Sequence, residues 1–230
     1  MRIVSWNINS LRRRQDRLFA WLEAIKPDIV CLQETKCSDD QFPALALQAV
    51  GYQSAYHGEK SYNGVAILSM EEPRDVRPSL CDEAIDPQAR VIAATINGLR
   101  VFSIYAPNGQ AIGSPAYDYK LHWYQRLRNC LSKERTPALV VCGDFNVAPE
   151  DTDVHDPDLW RGAIMCSEGE RLAFPKNRGL RIDAILASKH LAKNCTAAGI
   201  DREMRKGKEA SDHAPVWAEF EIWSKVIGEK

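Results

Sequence analysis

Ala138 to Cys142 is an uncharged, valine-rich run that stops at Gly143-Asp144 and is followed by Phe145-Asn146. A short run that is apolar at every position reads as a strand buried on both faces, so the fold must cover it on either side. An acid then sits at the mouth of a buried strand. If the backbone stays extended past Asp144, Asn146 points to the same side and sets an amide beside the carboxylate. Taken alone, a Gly-Asp pair at a strand end reads equally well as a turn.

The same arrangement recurs along the chain. Arg2 to Trp6 is a short apolar strand ending in Asn7-Ile8-Asn9, and Ile29 to Leu32 is another ending in Gln33-Glu34. Leu180 to Leu186 reads as a strand carrying Asp183, and Ser211-Asp212-His213 directly precedes the alternating strand Ala214 to Ile222. Each has a plain explanation as a turn or cap. Five together, all offering hard oxygen ligands plus one histidine, point to one shared site at the rim of a sheet structure.

A chain of 230 residues with no Pro/Ser-rich linker and no charge block is expected to form one domain, residues 1–223, with a frayed tail over 224–230. Hydrophobic residues at 45% and charged ones at 27% exclude a disordered chain, and apolar runs of strand length argue against a membrane protein. The N-terminus has no apolar signal core, and the seven cysteines are odd in number without a CxxC pair. A cytoplasmic protein with reduced thiols is therefore expected, with Cys31 and Cys142 as small hydrophobes. A net charge of −1 gives no bulk attraction to a polyanion, so any such partner must be held by local patches. Arg12, Arg13, Arg14 and Arg17 form one cluster, Lys176, Arg178 and Arg181 a second, and Arg202, Arg205, Lys206 and Lys208 a third. Each reads either as a binding patch or as a solvated face.

In chain order, Ser10 is a candidate N-cap, and Leu11, Leu18, Trp21, Leu22 and Ile25 form a helical stripe ended by Pro27. Val30 to Glu34 closes a strand–helix–strand opening, and Gln41 to Val50 reads as a second helix stopped by Gly51. Gly64 to Ser69 is a strand. Arg90 to Ile96 and Leu99 to Tyr105 flank Asn97-Gly98, a strong hairpin signal, so that pair is antiparallel. Tyr117, Leu121, Tyr124, Leu127 and Leu131 mark a helix between Ala116 and Glu134. Asp151 to Glu170 reads as loop with one short helix around Glu168 to Phe174, and Thr196 to Ile200 as a strand. Ala214, Val216, Ala218, Phe220 and Ile222 share one face of the last strand, which leaves it half exposed. Crossovers mixed with hairpins give mixed sheets, and two strand groups suggest two packed sheets.

Glu34, Asp144, Asp183 and Asp212 can crowd one rim only if their repulsion is offset, and a divalent cation is the usual means. All-oxygen ligands favour Mg²⁺ or Mn²⁺ over zinc. Such an ion keeps open positions for water and a phosphate oxygen, which suits phosphodiester hydrolysis. A histidine beside an acid adds the charge and tautomer control that a lone histidine lacks.

At these residues the chain resembles the exonuclease III family of the endonuclease/exonuclease/phosphatase superfamily. The blocks that carry the resemblance run in order: Trp6-Asn7-Ile8-Asn9, Leu32-Gln33-Glu34-Thr35-Lys36, Tyr105-Ala106-Pro107-Asn108, Gly143-Asp144-Phe145-Asn146, Asn177 to Asp183, and Ser211-Asp212-His213-Ala214-Pro215-Val216. Tyr56-His57-Gly58 and Asn63-Gly64-Val65-Ala66 extend it across nearly the whole chain. The resemblance implies an α/β fold, a four-layer α/β sandwich of two mixed β-sheets face to face with flanking helices. It implies a monomeric, Mg²⁺-dependent DNA repair enzyme acting on double-stranded DNA at abasic sites and 3′ ends, with Mn²⁺ as a substitute. Tyr105, Asp144, Asn146, Asp183 and His213 would be catalytic. Asp144 would orient or activate water, Asn146 bind the scissile phosphate, His213 donate to a phosphate oxygen while held by Asp183, and Tyr105 stand near the leaving group. Either Asp144 or His213 could then be the base. Glu34 would bind the metal with Asn7, Asp212, Asp144 and Asn146 close by. Asn9, Lys36, Arg90, Asn108, Asn177, Arg178 and Leu180 would contact substrate.

The chain departs from the family in one place. Relatives carry a helix end, a strand and a loop between the helix resembling Glu170 to Phe174 and the block at Asn177, where this chain has only Pro175 and Lys176. The absent piece normally brings an aromatic residue to the pocket for a base-free sugar, and Phe174 and Leu180 are the large apolar residues left nearby. Two rival readings use the same residues: a superfamily phosphodiesterase acting on a lipid or small phosphoester, and a non-catalytic DNA-binding relative. A retired site usually loses an acid, and here none of the expected ones is lost.

Overall fold

The computed structural model describes residues 1–82, 86–154, 156–167 and 182–221. Eleven strands are described: β1 (Arg2–Asn7), β2 (Ile29–Gln33), β3 (Gln53–His57), β4 (Val65–Ser69), β5 (Arg74–Arg77), β6 (Val91–Ile96), β7 (Leu99–Tyr105), β8 (Leu139–Asp144), β9 (Asp183–Ala187), β10 (Cys195–Ile200) and β11 (Val216–Phe220). The helices are α1 (Leu11–Ile25), α2 (Ala44–Ala49), α3 (Pro115–Lys133), α4 (Pro157–Trp160) and α5 (Lys189–Ala192). The strands form a six-stranded sheet ordered β10-β11-β1-β2-β4-β3 and a five-stranded sheet ordered β5-β6-β7-β8-β9. In the first, β1 and β2 run parallel and the other pairs antiparallel, and in the second only β7 and β8 are parallel.

The two sheets face each other across a core of Ile3, Ile29, Cys31 and Ile67 on one side and Ile92, Val101, Val140 and Cys142 on the other. Outside the first sheet, Leu18 and Leu22 of α1 pack on Val4, Trp6, Val30 and Leu32. Outside the second, Trp123, Tyr124 and Leu127 of α3 pack on Phe102, Ile104 and Val141. This is the expected four-layer sandwich, and it explains why β1, β2 and β8 are apolar on both faces. A polar bridge crosses the core below the rim: Gln33 Nε2 donates to Ser103 Oγ at 3.2 Å, and Ser103 Oγ donates to the Leu32 carbonyl at 3.0 Å.

The expected hairpin is present, with Asn97 (φ 46°) and Gly98 (φ 79°) both in the left-handed region that a tight two-residue turn requires. Other expectations need correction. Ser10 precedes α1 but makes no side-chain cap; its own N–H donates to the Glu34 carbonyl, and the Leu11 N–H to that of Thr35. The helix expected over Gln41 to Val50 is shortened to α2, because Phe42 and Pro43 interrupt it after a 3₁₀ turn at Asp39–Gln41. The last strand is less bare than its alternation suggests: Trp217 packs with the α1 layer and Glu219 pairs with Arg2 at 2.6 Å. Reduced thiols throughout are not observed, since Cys81 and Cys130 form a disulfide, while Cys31, Cys37, Cys142, Cys166 and Cys195 are free. The helix expected around Glu168 to Phe174 lies outside the described residues, as do Asn177, Arg178 and Leu180. No described helix is long and apolar enough to cross a membrane.

Candidate active site at the sandwich rim

The carboxyl ends of parallel strands are where open α/β sheets place ligands, and here two parallel pairs open at the same rim. Asn7 ends β1 and Glu34 follows β2; Tyr105 and Asp144 end β7 and β8 as register partners. The antiparallel neighbours enter at that rim, so Asp183 begins β9 opposite Asp144, and His213 lies just before β11. Each sheet contributes half of the cluster.

Asn7 joins the halves. It is fully buried, and its Nδ2 donates to Glu34 Oε1 at 2.8 Å and to Asp144 Oδ2 at 2.9 Å. On the first sheet's side, Lys36 Nζ lies 2.9 Å from Glu34 Oε2 and donates to Asn9 Oδ1 at 2.7 Å, while Asn9 Nδ2 donates to Asp212 Oδ1 at 2.9 Å. Glu34 and Lys36 both have φ near 50°, a kink that faces the two side chains toward each other. Gly64, at φ +90°, presses against this kink, where a Cβ would meet Thr35 Oγ1 at 2.1 Å. Burial pulls the Glu34 carboxyl upward, but hydrogen bonds from Asn7 and Lys36 and the Lys36 charge leave it below its ordinary value. For Asp212 the same opposition of burial against the Asn9 hydrogen bond and the His213 charge also ends below it.

The second half is an acid–histidine–acid row. Asp183 Oδ2 lies 2.6 Å from His213 Nδ1, and His213 Nε2 lies 3.9 Å from Asp144 Oδ2. Burial disfavours a charged imidazole, yet the Asp183 hydrogen bond and the charges of Asp183, Asp144 and Asp212 outweigh it and push His213 up to about 9. Asp144 is 2% exposed; burial and then the Asp183 charge raise its carboxyl to about 7, against the pull of His213, the Asn146 N–H and Asn7. The Tyr105 phenol hydrogen-bonds Glu34 and is held far above its ordinary value by burial and by the Glu34 and Asp144 charges, so it stays neutral. Arg90 stacks on the Tyr105 ring at 4.8 Å and donates to the Tyr105 carbonyl.

Asn146 comes beside Asp144, though not by the expected route. Its φ is 48°, so the chain turns left-handed where extension was expected. Its own N–H donates to Asp144 Oδ1 at 2.9 Å, and its Nδ2 donates to the Ala106 carbonyl, which brings it to Asn108 at 3.4 Å. Asparagine is among the few residues that tolerate this conformation, which is the signal available in the sequence. Sequence reasoning missed the supports behind the rim. Lys120 of α3 is 0% exposed and donates to the carbonyls of Asn108 and Asn146. Arg14, counted with a charged cluster, is 8% exposed and turned inward.

Asp144, Asp183 and His213 hold ligand-capable atoms within 4.8 Å of one another. Glu34 and Asp212 lie outside that triplet and have cationic or amide partners already. Asp183 Oδ1 is buried without a hydrogen-bond partner among the described residues, an oxygen in want of a positive group. Carboxylate and amide oxygens with this one orphan suit a hard divalent cation.

A sequence model described as the endonuclease/exonuclease/phosphatase family matches residues 4–213. Exodeoxyribonuclease III of Haemophilus influenzae is 32% identical over 266 aligned positions, spanning 96% of this chain and all of that protein. An alignment longer than the chain itself means the relative carries residues absent here. The structure of a 3′ phosphatase, NExo, from Neisseria, bound to a product DNA hairpin, superimposes with a TM-score of 0.93 at 39% identity, covering 96% of this chain and 100% of that one. An AP endonuclease from Archaeoglobus fulgidus gives 0.89 at 36% identity, with the same coverage.

Proposed function

The chain belongs to the endonuclease/exonuclease/phosphatase family, and we propose that it is a metal-dependent DNA repair phosphodiesterase acting at abasic sites and 3′ ends. The observation that carries this reading is the row Asp183–His213–Asp144, an imidazole held between two carboxylates at 2.6 and 3.9 Å. The relatives named for 3′-phosphatase, exonuclease and AP-endonuclease activity support DNA as the substrate.

In this reading Asp144, with a carboxyl near neutrality, accepts the proton of the attacking water. The water oxygen bonds to phosphorus as the bond to the leaving sugar oxygen breaks. His213 carries its proton at neutral pH and is therefore the donor to a phosphoryl oxygen, oriented by Asp183. That assignment favours Asp144 as the base. Tyr105 keeps a neutral phenol near the leaving oxygen, and Asn146 with Asn108 holds the phosphate. Glu34, with Asn7 and Asp212 nearby, would hold the cation, and Asn9, Lys36 and Arg90 would meet the DNA backbone. A bound Mg²⁺, or Mn²⁺ in its place, would neutralise charge on the phosphate and leaving oxygen.

The test is a duplex with one abasic site and a duplex with a 3′-phosphate, each incubated with Mg²⁺ and with excess chelator. Cleavage of both that stops in chelator and returns with Mg²⁺ or Mn²⁺ is expected. Full turnover in chelator would remove the metal assignment, and hydrolysis of a lipid headgroup with none of DNA would move the chain to another branch of its family.

A further inference from the structure

α1 does more than cover a sheet. Its inward side latches the loop that leads to Asp212. Trp21 Nε1 donates to Asp201 Oδ2 at 3.0 Å, and Arg17 Nη2 donates to the carbonyls of Met204 at 3.1 Å and Lys206 at 2.6 Å. Arg14, one helical turn nearer the rim, spans the gap between two loops. Its Nη1 donates to the Asn9 carbonyl and its Nη2 to the Ala210 carbonyl at 3.1 Å. Both loops need such restraint. Asn9 and Ser10 have φ of 45° and 87°, and residues 206–210 form no regular structure.

The two carbonyls belong to the segments that carry the rim's outer acid. Asn9 donates to Asp212 Oδ1 and accepts from Lys36, which in turn pairs with Glu34. Ala210 stands two residues before Asp212, and Ser211 Oγ donates to the Asn7 carbonyl at 2.7 Å. A buried, planar guanidinium with two forks can fix both loops at once, which an ammonium on a similar stem cannot.

We propose that Arg14 is a positioning residue that fixes the spacing of Asn9 and Asp212 from Glu34, and so sets the affinity of the rim for a divalent cation and leaves the chemical step largely alone. This rests on the reading of the rim as a divalent-metal site. Partners that orient metal ligands from behind typically affect affinity by about 10–100-fold.

The experiment titrates Mn²⁺ by electron paramagnetic resonance into the full chain, Arg14→Lys and Arg14→Gln, each checked for fold by circular dichroism and thermal melting. The Mg²⁺ dependence of kcat and KM on an abasic duplex is measured beside it. A Kd for Mn²⁺ raised about tenfold in a folded variant is expected, with a matching rise in the Mg²⁺ needed for half-maximal rate and kcat at saturating Mg²⁺ within about threefold. A rise under about threefold in both folded variants, or a fall in kcat at saturating metal without a change in affinity, would overturn the proposal. So would loss of fold in both variants, since Arg14 would then serve the fold alone. If the unaltered chain takes up no Mn²⁺, the metal reading fails and this one with it; if chain and variants bind alike, only the role of Arg14 fails.

Discussion

Asp183→Asn isolates what the carboxylate does for His213, because it keeps the size of the side chain while removing its charge and altering its hydrogen bond. In the metal-free protein, burial works against the imidazolium, and the Asp183 hydrogen bond and charge are the largest of the effects that reverse it and raise His213 to about 9. Relative to 6.5, and at 1.36 kcal/mol per unit, that is on the order of 3 kcal/mol favouring the protonated ring. The histidine side chain is 14% exposed, so solvent screens little of this. A folded-state value above the unfolded one contributes stability that is complete below about pH 6.5 and is lost as pH rises through about 9. Asp183→Asn should therefore flatten the fall in melting temperature between those limits. It should also bring the imidazole titration, followed by proton NMR in chelator, down toward or below its ordinary value. Near pH 7.5 the ring would then be largely neutral and no longer a ready donor, so kcat should fall by about 10²-fold, the scale of one lost oxyanion donor. An unmoved titration midpoint in a folded variant would refute the account of the row, whatever the activity showed.

Two further outcomes follow from the same rim. Asp144→Asn and His213→Ala should each lower kcat by at least about 10²-fold while leaving the Kd for DNA nearly unchanged; a mild effect in either would move the proton chemistry elsewhere. Asp183→Asn should resemble the histidine change more closely than the Asp144 change. The short stretch between Phe174 and Asn177 bears on lesion choice: if the aromatic wall for a base-free sugar is missing with it, the ratio of abasic-site cleavage to 3′-end trimming should be about ten- to hundredfold lower than in the Haemophilus influenzae relative assayed alongside. An equal ratio would show that the pocket is rebuilt from other residues.

Much of this was legible because buried strands announce themselves by composition and the site lies where they end. Ile29 to Leu32 and Ala138 to Cys142 are apolar throughout and Arg2 to Trp6 is so but for Arg2 and Ser5, and their ends mark Glu34, Asp144 and Asn7. β3 and β5 escaped notice for the converse reason. They are the outer strands of their sheets, and Gln53–His57 and Arg74–Arg77 mix polar and apolar residues because one side faces solvent. Arg14 and Lys120 were hidden by a different difficulty. Hydropathy assigns a cation to the surface, and only the carbonyls gathered around a loop junction reveal that it is drawn inside. Asn146 shows the limit of period-two reasoning, which fails as soon as one residue turns left-handed.

The bridge from Gln33 to Ser103 has a consequence at a distance from where it lies. Two apolar sheet faces could slide past each other at small cost, as layers of similar hydrocarbon texture offer many nearly equivalent alignments. The rim would not survive such sliding, because Asn7, Glu34, Asp212 and His213 ride on one sheet and Tyr105, Asp144 and Asp183 on the other. A directional bond in the dry interior, one strand position below the rim on β2 and two below it on β7, admits one alignment only. It acts as a dowel between two plates: Gln33 keeps Cys31 and Ser5 as partners within its own sheet, but Ser103 Oγ has its partners, Gln33 and the Leu32 carbonyl, in the facing one, so a slide would strand a hydroxyl in hydrocarbon and the halves of the cluster stay in phase.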